Sequence, residues 1–210
     1  MFLPDKEEIK LLIVGLNGSP NKDGNTMFLL NNILEHAGRS GCETQIIHAG
    51  DAVLSCKVPF CVACSSPCSG KCFKDSKLEE AFELINRSDG IVVGSPVYFG
   101  TVSAQLKAFF DKSRGPRSKK VWINKVGAGA TIGSSKYGGQ ETTIRAIHDI
   151  MMVHGMIIVG DGAVDYDAGH HGVCAQKPSQ NDDFALKRAE VLAQKLVQTC
   201  EATKALRKLC

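Results

Sequence analysis

Four cysteines lie within twelve residues of the chain, in the segment CVACSSPCSGKC, and a fifth cysteine precedes them. The four are Cys61, Cys64, Cys68 and Cys72, and the fifth is Cys56. Thiolates bind zinc and iron-sulfur clusters, they pair as disulfides in oxidising compartments, and buried thiols behave as small apolar side chains. The cysteines therefore raise three chemical possibilities, which the rest of the chain has to separate.

Length and composition are those of an ordinary globular protein. The chain has 210 residues, of which 43% are hydrophobic and 22% charged, and no linker or repeat interrupts it, so we predict a single domain over residues 1–210. No apolar run approaches the roughly 18 residues that span a bilayer, and we expect a cytoplasmic protein with no membrane partner. Nine cysteines in a reducing cytoplasm favour metal or redox chemistry over disulfides.

The charge pattern does not indicate a nucleic-acid partner. The formal net charge is +3, and no stretch interleaves basic and aromatic residues. The densest basic segment is DKSRGPRSKKVWINK, which begins with Asp111 and Lys112. We predict a solvated loop there, with a docking patch for an acidic electron donor as the alternative.

The spacing of apolar residues predicts alternating strands and helices. Apolar runs closed by glycine or proline indicate strands at residues 9–16 and in ETQIIHAG, GIVVGSPV, KVGAGATIGSS and MIIVG. Helical spacing predicts helices from Asn25, in KLEEAFELINR, SAQLKAFFDK and GQETTIRAIHDIMMVHG, and over residues 183–206. Five strands alternating with five helices predict an α/β fold with a parallel sheet covered on both faces. Ligands of such sheets bind beyond the carboxyl ends of the strands, so the loops after strands one, three and four should line one site.

The loop after the first strand, GLNGSPNKDGNT, has the composition of an anion site. It matches neither the dinucleotide G-x-G-x-x-G pattern nor the G-K-[ST] phosphate loop. Its glycines and proline shape a turn at a helix N-terminus, and Ser19, Asn21, Asn25 and Thr26 add polar side chains, so it suits a phosphate without an arginine. The alternative is a capped helix start, in which Asn25 or Thr26 only satisfies backbone amides.

The loops after the third and fourth strands could hold a flat ring. Tyr98 and Phe99 follow the third strand among small residues, where an aromatic side chain can wall a planar ligand. Glycines in TIGSSKYGGQETT allow the backbone to approach a ring closely. Phe109 and Phe110, on the helix with Leu106, are predicted to belong to the core.

Three segments, GSPNKDGNT, GSPVYFGTVSAQLKAFFDK and GGQETT, resemble those of flavodoxin-like NAD(P)H-dependent FMN reductases and, among them, of iron-sulfur flavoproteins. The resemblance covers residues 9–160 and implies a three-layer sandwich around a five-stranded parallel sheet of order 2-1-3-4-5 that binds FMN. It implies phosphate contacts from Ser19, Asn21, Asn25 and Thr26, and flavin contacts from Pro96, Val97, Tyr98, Phe99 and Gly100 on one side and from Gly133, Ser134 and Gly139 on the other. Asn21 stands where this family usually has arginine, which leaves Lys22 as the nearest cation.

The same resemblance bears on the cysteine-rich loop, residues 56–72. Iron-sulfur flavoproteins carry a C-x2-C-x2-C-x4-to-7-C run after the second strand, whereas this chain has C-x2-C-x3-C-x3-C, with Cys68 displaced by one position. A zinc site usually has two C-x2-C pairs about 12 to 20 residues apart, so we rank zinc lower. We predict a [4Fe-4S] cluster on Cys61, Cys64, Cys68 and Cys72, with Cys56 as a spare or a replacement for Cys68; free thiols are the alternative.

These features predict an FMN-dependent oxidoreductase that moves electrons between NAD(P)H or reduced ferredoxin and an acceptor, with the cluster as a one-electron relay. No catalytic side chain is expected, because the flavin carries the chemistry. The alternatives are a non-enzymatic electron carrier and a cluster-free NAD(P)H:FMN or quinone reductase. The resemblance also implies a homodimer or homotetramer.

Overall fold

The strands of the computed structural model, which describes residues 10–207, form one parallel sheet. They are β1 (Leu12–Asn17), β2 (Glu43–His48), β3 (Gly90–Pro96), β4 (Val126–Gly133), β5 (Ile157–Val159) and β6 (Val173–Gln176). The order is β2-β1-β3-β4-β5, with β6 also paired to β4, so the predicted order is confirmed. Residue 9, the predicted start of the first strand, and Cys210 lie outside the described residues.

The three central strands are the most apolar, because both of their faces are covered. Every residue of β4 is buried, as are all but one in each of β1 and β3. Glycine in β4 lets a helix approach closely: a Cβ on Gly127 would lie 2.5 Å from the Met151 sulfur. The edge strand β2 is mostly exposed at its start.

The sixth strand was not predicted. Strand β5 pairs with the first part of β4, from Val126 to Ala128, and β6 pairs with the second part, from Ala130 to Gly133. The two short strands therefore share one position in the sheet, and the segment 160–172 loops out between them. Because β6 has only four residues, its sequence VCAQ carries no readable alternation.

Helices cover both faces of the sheet. They are α1 (Asn25–Arg39), α2 (Ala49–Leu54), α3 (Lys77–Arg87), α4 (Ala104–Lys112), α5 (Arg114–Ser118), α6 (Gln140–Met152), α7 (Asp183–Ala202) and α8 (Lys204–Arg207). Helices α1 and α7 pack on one face, while residues of α2, α3, α4 and α6 form the apolar layer on the other. The short helices α2 and α5 were not predicted. Within residues 10–207, no helix combines the length and the apolar character needed to cross a bilayer.

Aromatic side chains fill the layer beside the cysteine-rich loop. The ring of Phe82 meets those of Phe73 and Phe109 edge-on at 5.2 Å and that of Trp122 at 5.7 Å. Phe109 and Phe110 are buried, as predicted. Since Phe73 directly follows the last cysteine of the loop, this packing holds the end of that loop against the core.

Candidate functional site

The loop between β1 and α1 leaves a helix N-terminus open. Gly24 occupies the N-cap, and no side chain caps the helix. The Thr26 side chain is 3% exposed, and no hydrogen bond among the described residues uses its hydroxyl. Unpaired N–H groups at a helix N-terminus attract anions. This end of α1 can therefore accept a phosphate.

Other polar residues of this loop are already engaged within the protein. Ser19 Oγ accepts the amide of Asn21 at 3.1 Å, and Asn25 Oδ1 accepts the amide of Ser179 at 2.8 Å. Lys22 Nζ lies 2.5 Å from Asp51 Oδ2, and this hydrogen bond lowers the pKa of Asp51. The predicted cation is therefore paired with a carboxylate, and Asn25 ties the loop to the turn after β6.

The loop after β3 is a tight turn. The amide of Tyr98 donates to the carbonyl of Thr101 at 3.0 Å, and the reverse bond measures 3.2 Å. Phe99 and Gly100 both have positive φ, at 51° and 76°, as the two central residues of a type I′ turn require. The Phe99 side chain is fully exposed and Tyr98 is about half exposed. Both aromatic side chains stand at the open edge of the site.

The loop after β4 is held by one buried side chain. Gln140 Nε2 donates to the Ser135 carbonyl at 2.7 Å, and its Oε1 accepts the Gly138 amide at 2.9 Å. Gly139 has φ +98°, and a Cβ there would lie 3.1 Å from Gly100 Cα. Ser134 is exposed, while Gly133 is buried against Gln140.

Three hydrogen bonds join the loops into one site. The Gly18 amide donates to the Gly94 carbonyl at 2.8 Å, and Thr142 Oγ1 lies 2.7 Å from the carbonyl oxygen of Gly100. The Ser103 hydroxyl, fully buried, donates to the carbonyl of Gly18. The predicted segments after β1, β3 and β4 are thus neighbours at the carboxyl edge of the sheet. The contributions of Ser103, Gln140 and Thr142 were missed. Ser103 and Thr142 act through contacts distant in sequence, whereas Gln140 acts through the local fold of the loop before it.

The open end of α1 and the glycine turns suit FMN. A phosphate dianion fits uncapped amides beside the Thr26 hydroxyl, and the exposed turns with small residues can accommodate a planar ring. No arginine is needed for such a site.

The four clustered cysteines lie in a loop without helix or strand. Cys61 and Cys68 are partly exposed, and Cys64 and Cys72 are exposed. Within residues 10–207, no three Cys, His, Asp or Glu side chains are grouped closely enough to hold a metal ion. The donor set fits a cluster by its chemistry, because four free thiols stand within twelve residues of one loop. Cys56, by contrast, is buried, with its sulfur 3.8 Å from Ser76 Oγ.

The remaining described cysteines stay apart from this loop. Burial raises the pKa of Cys174 to about 11 and that of Cys200 to about 12, and it also raises the pKa of Cys42. These thiols therefore remain protonated at neutral pH. Protonated thiols of this kind behave as small apolar side chains.

One prediction about the basic segment is wrong. Lys112 ends helix α4, as the predicted helix SAQLKAFFDK requires, but it is 2% exposed and not solvated as the basic segment was predicted to be. Its Nζ donates to Cys72 Sγ at 3.6 Å. Helical spacing could have signalled the burial, since Lys112 follows Phe109 by three residues on the buried side of α4.

Comparison with known proteins agrees with the fold. A doubly wound parallel sheet whose carboxyl edge presents an uncapped helix and two glycine turns defines a nucleotide-binding protein of the flavodoxin type. The flavodoxin, WrbA-like protein from Agrobacterium tumefaciens superimposes with a TM-score of 0.65 at 18% identity, over 92% of this chain and 98% of that one. The flavodoxin-like fold is therefore confirmed.

Sequence comparisons identify the family to which the chain belongs. The family model for NADPH-dependent FMN reductase matches residues 11–171. A protein of Methanocaldococcus jannaschii named iron-sulfur flavoprotein is 38% identical over 195 residues, which cover 91% of this chain and 98% of the relative. An iron-sulfur flavoprotein of Methanosarcina thermophila is also 38% identical, over 90% of this chain and 95% of its own length. The chain belongs to the NADPH-dependent FMN reductase family, among its iron-sulfur flavoproteins, and is an oxidoreductase.

Proposed function

We propose that the protein binds FMN at the carboxyl edge of β1, β3 and β4 and passes electrons from NAD(P)H or reduced ferredoxin to an acceptor, with a [4Fe-4S] cluster as one-electron relay. The observation that carries this proposal is the uncapped N-terminus of α1 beside the two glycine turns. We propose that FMN contacts the residues predicted above, with Thr26 and the amides of α1 at the phosphate.

The protein's own residues would bind and orient the cofactor. The Ser103 and Thr142 hydroxyls hold the three loops at fixed separations, so a ring seated there keeps one orientation. FMN, when bound, exchanges two electrons with a hydride donor, whereas a [4Fe-4S] cluster passes one at a time, so a protein that holds both joins two kinds of redox partner. Such a protein belongs in the reducing cytoplasm.

The phosphate site is tested by titration calorimetry of flavin-free protein with FMN and with riboflavin. Riboflavin lacks only the phosphate, so we expect it to bind at least about tenfold more weakly than FMN, because hydrogen bonds to charged groups contribute about 1.5–3 kcal/mol. Equal affinity for FMN and riboflavin would contradict the assignment of the phosphate to the α1 N-terminus.

The electron donor is tested by rapid mixing under anaerobic conditions. Flavin bleaching by NADH or NADPH supports a reductase. Bleaching by reduced ferredoxin alone supports the electron-carrier alternative, and bleaching by neither donor contradicts the proposal.

One observation favours a second candidate, the cluster-free reductase: the described residues hold no preassembled group of metal ligands. Iron and acid-labile sulfide assays on anaerobically purified protein separate the two. Four iron atoms per chain support the relay. Protein that carries FMN and no iron supports the cluster-free reductase.

A further inference from the structure

Lys112 is one of the most deeply buried charged side chains of the protein. It is 2% exposed and lies at the C-terminal end of α4. Lysine is almost never fully buried without a partner, because removing an ammonium group from water is costly. Among the described residues, no carboxylate lies within ion-pair distance of Lys112, and its one hydrogen bond goes to Cys72 Sγ, at 3.6 Å.

A neutral thiol is a poor partner for this ammonium group. Its sulfur is only a weak hydrogen-bond acceptor and carries no charge to offset the lysine. A metal-bound thiolate is anionic and commonly accepts hydrogen bonds from N–H groups. It would therefore give Lys112 both a negative charge and a good hydrogen-bond acceptor. The burial of Lys112 against Cys72 is therefore the arrangement that an anionic sulfur requires.

The contact is held in place from both sides. Phe73, next to Cys72, packs edge-on against Phe82 at 5.2 Å, and its carbonyl accepts the Ser76 hydroxyl at 2.5 Å. Lys112 is held by α4, whose Phe109 packs on the same Phe82 ring. Both partners thus rest on one aromatic cluster, so the distance between them does not depend on the rest of the cysteine-rich loop.

We propose that Lys112 is a positioning residue for the iron-sulfur cluster, donating a hydrogen bond to the Cys72 sulfur and supplying a buried positive charge that raises the cluster's reduction potential. This inference rests on the cluster of the proposed function. One-electron reduction adds negative charge to a cluster, and a nearby cation favours the more negative state, the more so when that cation is shielded from water as Lys112 is. Removing that cation makes the potential more negative.

The test compares three variants with the wild-type protein, all purified anaerobically with FMN bound. Lys112→Met keeps the length of the side chain and removes both charge and donor. Lys112→Arg keeps both. Lys107→Met is the control on the same helix, because Lys107 is exposed and pairs with Asp111 at 2.6 Å. Iron, sulfide and FMN contents are measured, and the cluster's midpoint potential is followed by electron paramagnetic resonance.

We expect Lys112→Met to keep FMN and to have a cluster potential more negative than that of the wild type. Lys112→Arg should stay near the wild-type value, and Lys107→Met should shift less than Lys112→Met because water and salt screen an exposed charge. Lys112→Met protein that keeps FMN and loses iron, while Lys112→Arg keeps both, also supports the inference.

Three results would overturn the inference while leaving the cluster in the proposed function. They are an unchanged potential in Lys112→Met, an equal shift in Lys107→Met, and loss of FMN together with iron from both Lys112 variants, which would mark a purely structural residue. Wild-type protein that carries FMN and no iron would instead show that the protein holds no cluster. It would then rule out both the relay and this inference.

Discussion

At the scale of single residues, hydrogen bonds decide which side chains remain available to a ligand. Lys22 and Asn25 were both predicted at the phosphate, yet Lys22 is paired with Asp51 and the side-chain Oδ1 of Asn25 accepts the Ser179 amide. The Thr26 hydroxyl has no such commitment among the described residues. The composition of the loop predicted its chemistry, but the two long-range partners that engage Lys22 and Asn25 lie too far along the chain to be predicted.

We therefore expect Thr26→Val to weaken FMN binding more than Lys22→Met does. Valine keeps the shape of threonine and removes the hydroxyl, so the dissociation constant for FMN should rise at least about tenfold, as for a lost hydrogen bond to a charged group. Lys22→Met should change it by less than about threefold, because an exposed paired lysine contributes little. Calorimetry with FMN measures both, and riboflavin affinity should stay constant. A larger effect of Lys22→Met would contradict the assignment.

A second residue-scale prediction concerns His154. Burial, with a contribution from the charge of Arg117, lowers its pKa to about 4. Since the unfolded chain takes up this proton near pH 6.5 and the folded protein only near pH 4, stability is full above that window and falls as the pH falls through it. Between pH 7 and pH 5 this group should remove about 2 kcal/mol from the free energy of unfolding.

Urea denaturation at both pH values, followed by the fluorescence of Trp122, measures this loss. The Trp122 and His154 rings lie 4.6 Å apart, and His154 Nε2 is 3.0 Å from Ser113 Oγ. His154→Gln cannot take up the proton, so its stability should fall by about 2 kcal/mol less than that of the wild type over this pH range. Parallel losses in the two proteins would show that other groups cause the pH dependence.

At the scale of elements, burial on both faces made the central strands readable from sequence. The runs that form β1, β3 and β4 are apolar throughout, because helices cover them on either side. Strand β6 was not predicted because it pairs with the part of β4 that β5 leaves unpaired. Its position is therefore set by the sheet and not by its own four residues. Helix α5 was missed because Gly115 and Pro116 fall inside it.

Substitutions at two glycines test helix propensity and loop geometry separately. Gly38 lies within α1, and nothing lies within 4 Å of a Cβ built on it, so Gly38→Ala should raise the free energy of unfolding by about 0.5–1 kcal/mol. Gly139 has φ +98° and lies against Gly100, so Gly139→Ala should lower the free energy of unfolding by about 1–2 kcal/mol and weaken FMN binding.

Urea midpoints of both glycine variants, with FMN affinities measured alongside, check this contrast. Gly38→Ala is the matched control, because it is the same substitution far from the proposed flavin turns. Normal FMN affinity in Gly139→Ala would mean that this glycine plays no part in shaping the site.

At the scale of the whole molecule, three large apolar side chains are exposed at the start of the cysteine-rich loop and just before it. Leu54, Phe60 and Val62 are 71%, 62% and 68% exposed within nine residues of chain. Exposed apolar patches of this kind mark interaction surfaces. They support the prediction that the protein assembles as a homodimer or homotetramer.

We expect light scattering to give about 45 kDa for a dimer or about 90 kDa for a tetramer, two or four times the 22.6 kDa of one chain. Phe60→Ser should weaken the assembly, whereas Val164→Ser, at an exposed valine in the segment between β5 and β6, should leave it intact. A wild-type mass near that of one chain would contradict this prediction.

Helix α4 has a further consequence for how the protein matures. It starts beside Ser103, whose hydroxyl donates to the Gly18 carbonyl in the loop after β1, and ends at Lys112, whose Nζ donates to Cys72 Sγ. A helix of nine residues is a stiff rod about 14 Å long, so settling one end restrains the other. If FMN and the cluster bind as proposed, flavin loading at one end of α4 should order the thiol segment at the other end. We therefore expect protein from cells starved of riboflavin to contain less iron as well as less flavin.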